Sequence, residues 1–269
     1  MIHDSYTGSA SEDGRPAPGT LGQGHVVPPP SEPALPQPRP RRWGIPSAVV
    51  GVALFIGLQL LVGAAVVLGW TLSGHRGSPP TLTLALVSLL PAYAGVLGWQ
   101  YLVARRRGGG MRRDYAFAFR WYDLFLGLAG GFVAMGVVLL GTLAVAKLFG
   151  VTPESSVGTT VLDSKQGGIA LYALLVVIAF VGPVVEELHF RGMWWRAIDN
   201  RFGPVAALLV TSAIFAVVHL EPVRLLGLLL GGLVLGGLRL VTGRLGAGVV
   251  AHMTLNTVSA VSLLLAVLR

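Results

Sequence analysis

The sequence predicts an all-α fold: a polytopic bundle of about seven transmembrane helices, or eight if a re-entrant or interfacial helix is added. Three observations carry this. Of the 269 residues, 53% are hydrophobic and only 12% charged, whereas a soluble domain is usually about a quarter charged; mean hydropathy is +0.70. The apolar residues lie in long continuous runs, which suits spanning helices and not the alternating strands of a membrane barrel. The arginines behind the net charge of +8 cluster beside those runs. In a soluble protein that charge would suggest a nucleic-acid partner; here it reads as membrane topology, with the lipid bilayer as surroundings and no nucleic acid. The absence of cysteine removes disulfides, thiolate zinc sites and cysteine nucleophiles together.

Residues 1–42 hold nine of the 17 prolines and no apolar run. They read as a disordered cytoplasmic tail without the core of a signal peptide; a partner-binding polyproline segment at Pro28-Pro29-Pro30 is the lesser reading. Residues 43–168 read as N-terminal spans without motifs, and 169–269 as the region that carries the chemistry. Seven hydrophobic segments are expected near 45–70, 81–104, 122–148, 169–198, 204–220, 222–241 and 246–268. The fourth is too long for a plain span. Its second half carries Arg191, Arg196, Asp199 and Arg201, so it is expected to leave the apolar layer around Glu186 and Glu187. Arg39, Arg41 and Arg42, the arginines from Arg105 to Arg120, Arg196 and Arg201, and Arg239 and Arg244 all fall on one side of seven spans. The sparsely charged loops 71–80 and 149–168 fall on the other. The positive-inside rule then gives a multi-pass protein of the cell membrane with a cytoplasmic N-terminus.

Two adjacent carboxylates, Glu186 and Glu187, directly follow an apolar run. Ionisable groups in a span are costly and mark a functional site by default. On a helix, Glu187 and Arg191 share a face with the acid on the N-terminal side, the better order for an ion pair. Glu186 lies about 100° away, so Glu187 is neutralised locally and Glu186 is the free carboxylate, suited to a general base. Gly182-Pro183 upstream can kink the helix. His219 ends a wholly apolar stretch, four residues after Phe215. His252 and Asn256 share a helical face and could donate together to a developing oxyanion. Glu186, His219 and His252 could equally ligate a divalent metal such as zinc.

Each feature also has a plain structural reading. A lone buried histidine is usually a packing residue, a Glu–Arg pair can staple helices, and Asn256 can be interhelical glue. His189 and Trp194-Trp195 read as interfacial. Glu221 before Pro222 reads as a helix cap. Gly227, Gly231, Gly232, Gly236 and Gly237 read as close helix packing. The three clusters nevertheless carry almost all the ionisable side chains of the later spans, which favours a site.

Glu186-Glu187-x-x-x-Arg191 with its Phe190-Arg191-Gly192 extension, Phe215-x-x-x-His219 and His252-x-x-x-Asn256 occur in this order on successive segments. Over residues 169–268 the chain resembles the CPBP family of intramembrane proteases (CAAX protease and bacteriocin-processing, or Abi). The resemblance implies an all-helical bundle with its site open to the cytosolic side, cleaving a membrane-associated or lipidated peptide or a membrane-protein substrate. It implies that Glu186 activates water with help from His219, that His252 and Asn256 stabilise the oxyanion, and that Glu187 and Arg191 orient the site. Family members are often called metalloproteases, yet glutamate and an oxyanion hole suffice without metal. The HExxH signature is absent. Met193-Trp194-Trp195 departs from the smaller aliphatics common after the first motif. Simple topology also puts Glu186 and His219 at opposite ends of neighbouring spans. A proton-coupled carrier and a non-catalytic scaffold or immunity protein are the competing classes; no inverted repeat and no partner charges in the first three spans support the former.

Overall fold

The computed structural model describes residues 43–164 and 168–269; the tail 1–42 with its polyproline segment lies outside the described residues. Among the described residues there are helices and no strands. The elements are α1 (Ile45–Leu72), α2 (Thr81–Arg107), the short α3 (Met111–Asp114), α4 (Asp123–Phe149), α5 (Ser156–Ser164), a long α6 (Ile169–Val218), a 3₁₀ turn (Pro222–Arg224), α7 (Leu225–Thr242) and α8 (Gly246–Val267). Six helical stretches are long and apolar enough to cross a membrane, and the protein is an all-α polytopic bundle.

The difference from seven expected segments lies in α6. Its 50 residues would measure about 75 Å if straight, more than twice the hydrocarbon layer. The helix is instead broken at Gly203, whose φ of 84° and ψ of 171° suit a residue without Cβ, and Pro204 follows at once. Two arms result, 169–202 and 204–218, so the expected fourth and fifth segments are one bent helix. The arms fold back on each other, with the rings of Phe190 and Phe215 5.4 Å apart and edge to face.

This bend removes the mismatch of depth between Glu186 and His219. Glu186 lies 17 residues before Gly203 and His219 16 residues after it, about 25 Å and 24 Å along their respective arms. The expected topology had Glu186 near a membrane end because the segment was expected to leave the apolar layer around the glutamates. The arm instead continues to residue 202, so the glutamates sit at its middle, level with the end of the returning arm.

The first arm is not uniform. Val177–Val181 and Leu188–Trp194 are π-helical, flanking a short α-helical piece, Gly182–Glu187. In a π turn, residues five apart align instead of four. Trp194 Nε1 donates to His189 Nε2 at 3.2 Å, five residues back. His189, Trp194 and Trp195 are therefore buried, the two tryptophans in a cluster with Met193, Ile198 and Phe215. This corrects the expectation that all three are interfacial.

Glycines set the helix approaches. A Cβ on Gly227 would come within 2.4 Å of the Val138 carbonyl of α4, and one on Gly231 within 2.6 Å of the Val138 side chain. On the adjacent face of α7, a Cβ on Gly236 would reach Leu208 of the returning arm at 2.6 Å. Gly127 and Gly131 let α8 approach α4 in the same way, while Gly237 has open space around it. In lipid, where burial of apolar groups gives little drive, such close backbone packing is a main source of association. Arg244 fixes the α7–α8 turn to the start of α4 through paired bonds to both carboxylate oxygens of Asp123, at 2.8 and 2.5 Å. By contrast, α1 buries only Ser47, Ala48 and Gly51 and lines the edge of the bundle.

Glu221 also differs from expectation. It makes no side-chain cap on the Pro222–Arg224 turn. Its Oε1 accepts the backbone N–H of Ser156 at 2.7 Å, satisfying the first turn of α5, and Arg224 donates to its Oε2 at 2.5 Å. It thus caps a helix remote in sequence, which no local pattern could reveal.

Candidate active site

The glutamate pair is divided by environment. Glu187 is fully buried and takes Arg191 Nη1 on Oε1 at 3.0 Å, the i, i+4 pair the sequence predicts. Arg191 is equally buried. Its Nη2 donates to the Gly232 carbonyl at 2.9 Å, and its Cζ stands 4.6 Å above the ring of Phe215. A buried ion pair survives only when its remaining hydrogen-bonding groups find partners, and these contacts supply several. Glu187 Oε2 has no hydrogen-bond partner among the described residues. A Cβ on Gly248 would crowd it at 3.2 Å, so the glycine gives this oxygen its room.

Glu186 is treated differently. Its Oε1 accepts a hydrogen bond from the Tyr93 hydroxyl at 2.8 Å, a neutral donor and not a counter-ion. Its Oε2 is 3.8 Å from His252 Nε2, and the side chain is 22% exposed where that of Glu187 is closed off.

His252 joins the two carboxylates. Its Nδ1 lies 3.2 Å from Glu187 Oε1 and its Nε2 faces Glu186. A carboxylate can only accept, so Nδ1 carries a proton, and in the neutral ring Nε2 is the lone pair directed at Glu186. His219 follows the same logic. Its Nδ1 is 2.6 Å from the Phe215 carbonyl, which fixes the proton there and leaves Nε2 free. Leu220 next to it takes a φ of 55°, so the chain turns away at once. Phe215 stands between the two histidines, its ring 4.6 Å from His219 and 5.6 Å from His252.

Asn256 donates through Nδ2 to the Ile178 carbonyl at 2.9 Å, inside the first π turn. Gln100 of α2 donates to the Val185 carbonyl at 3.3 Å, just before the second. Two carboxamides from other helices thus bond backbone carbonyls within and beside the π turns, both on the N-terminal side of Glu186. One N–H of the Asn256 amide is occupied by this bond; the group has two.

The structure thus brings Glu186, Glu187, Arg191 and His252 into one connected cluster, with Asn256 and His219 at its borders. Among the described residues no three His, Cys, Asp or Glu side chains are grouped to hold a metal ion. The candidate ligands Glu186, His219 and His252 do not form such a group; the Phe215 ring packs against both histidines. Sequence reasoning missed Tyr93 and Gln100. A signal existed: they are polar groups seven residues apart, hence on one face, within an otherwise apolar span.

Residues 168–258, from the start of α6 into α8, match the family described as "Type II CAAX prenyl endopeptidase Rce1-like". The Bacillus subtilis (strain 168) protein "Putative membrane peptidase YdiL" is 28% identical over 130 residues, 48% of this chain and 52% of that protein. The chain therefore spans about half the length of the curated relative it matches. No solved structure matches. The matched stretch contains all three motifs and the whole charged cluster, and both similarities support a protein of the CPBP family.

Proposed function

We propose that this protein is an intramembrane endopeptidase that cleaves a membrane-anchored or lipidated peptide near the cytoplasmic face, with Glu186 as general base. The observation that carries this reading is the unequal treatment of two adjacent carboxylates. Glu187 is neutralised by Arg191 at 3.0 Å, whereas Glu186 takes its hydrogen bond from the neutral Tyr93 hydroxyl, is partly exposed and presents Oε2 to His252. A water 2.8 Å from both Oε2 and Nε2 fits at the apex of their 3.8 Å separation.

In this mechanism Glu186 Oε2 takes a proton from that water as its oxygen attacks the scissile carbonyl. The proton passes from Glu186 to the leaving amine as the C–N bond breaks. His252 orients the water, held in the required tautomer by Glu187. The second N–H of Asn256 and the free edge of His219 are the groups available to the developing oxyanion. No step runs through a metal.

The test is proteolysis by purified full-length protein in liposomes, with a library of lipidated and membrane-anchored peptides. Glu186→Gln is expected to lower cleavage by at least about a thousandfold without loss of the folded, monodisperse protein. His219→Ala is expected to lower it by about ten- to a hundredfold. A parallel arm with chelator reads metal dependence. Full cleavage by Glu186→Gln overturns the assignment of the base. Proton-dependent flux without cleavage would favour a carrier.

A further inference from the structure

We propose that Tyr93, on a helix outside the matched residues 168–258, is a positioning residue for this site: its hydroxyl holds Glu186 Oε1 and so turns Oε2 toward His252. The proposal rests on the reading of Glu186 as the base.

Four observations support it. The hydroxyl is 2.8 Å from Glu186 Oε1, and Tyr93 is buried. Its ring is fixed by Phe55 of α1, centroid to centroid 5.3 Å. Gly182, at the start of the piece that carries the glutamates, leaves space for the pair; a Cβ there would stand 2.8 Å from the Tyr93 oxygen and 3.5 Å from Glu186 Oε1. Gln100, two turns further along the same face of α2, donates to the Val185 carbonyl. One helix therefore fixes both the backbone beside Glu186 and its carboxylate.

The chemistry of the donor matters as much as its place. The carboxyl group of a free glutamate rotates, and its two oxygens are equivalent. A bond to one oxygen fixes the plane of the group and commits the other, which is the preorganisation that a base needs before it can act in one step. A cationic donor would do this at the cost of neutralising the charge, as Arg191 does for Glu187. A phenol orients the carboxylate and keeps its own proton throughout.

Full-length Tyr93→Phe in liposomes tests this by two readouts. The carboxylate stretch of Glu186 in the infrared difference spectrum, identified by its loss in Glu186→Gln, is expected to shift in Tyr93→Phe. The kcat is expected to fall about tenfold with KM unchanged. Gly182→Ala, which drives a methyl against the Tyr93 oxygen while the phenol remains, is expected to reproduce both changes and covers the case in which Tyr93→Phe fails to fold. An unmoved band, an unchanged kcat, or a loss that appears in KM alone would overturn the proposal. A wild type that cleaves no peptide while the band still shifts would overturn the protease reading and leave the Tyr93–Glu186 contact standing.

Discussion

Replacing Arg191 by methionine tests whether the buried ion pair is an energetic unit. Methionine retains much of the apolar stem and removes the guanidinium, with its bonds to Glu187 at 3.0 Å and to the Gly232 carbonyl at 2.9 Å. Two unit charges 3.0 Å apart attract by about 5 kcal/mol at an effective dielectric of about 20. Much of that is offset by desolvation, but removing one partner leaves the other charge buried and uncompensated, for which about 3–5 kcal/mol is typical. His252 remains 3.2 Å from Glu187 Oε1 and compensates in part, so Arg191→Met is expected to cost about 3 kcal/mol. On a Glu187→Gln background, where Arg191 is itself the buried charge without its partner, the same substitution is expected to cost no more than about 1 kcal/mol. The coupling energy is then at least about 2 kcal/mol. The assay is equilibrium unfolding of the four full-length proteins in bicelles at one pH. Additive effects, with coupling under about 0.5 kcal/mol, would refute the idea that Glu187 and Arg191 depend on each other. Arg191→Lys is expected to fall between, since a point charge cannot serve Glu187 and Gly232 together.

Two further predictions concern packing and pH. Gly227→Ala puts a methyl 2.4 Å from the Val138 carbonyl and is expected to destabilise by about 1–3 kcal/mol. Gly237→Ala meets nothing and is expected to be neutral or stabilising by up to about 1 kcal/mol. Thermal melting of both in the same detergent checks the contrast. Glu221 titrates below the usual carboxylate range. Burial alone would raise it, but the hydroxyl and backbone N–H of Ser156 and the Arg224 guanidinium outweigh that. Its contribution to stability is therefore complete above the ordinary value of 4.5 and is lost as the pH falls through the lower folded value. Glu221→Gln is expected to flatten the acid limb of a stability–pH curve, and an unchanged limb would show that the tie between α5 and the 3₁₀ turn is dispensable.

What was legible in the sequence depended on how local its cause is. The spans follow from composition, and the Glu187–Arg191 pair from i, i+4 spacing, which these long side chains bridge although Arg191 itself lies in the π turn. From Leu188 onward the 100° rule no longer holds for the other side chains. That is why ordinary helical geometry points His189 toward the interface while the structure buries it. The π turns are specified by contacts that lie far away in the chain: Asn256 reaches back 78 residues to Ile178, and Gln100 reaches forward 85 to Val185. Tyr93 is likewise 93 residues from Glu186. No periodicity joins such positions; only the packing of α2 and α8 around the first arm does. The same packing explains how the motifs function as one site. A plain α-helix through 177–194 would turn the Ile178 and Val185 carbonyls relative to Asn256 and Gln100. It would also turn the glutamates relative to Tyr93 and His252. The widened turns and the two carboxamides are therefore a single device, and the direction in which Glu186 points is its product.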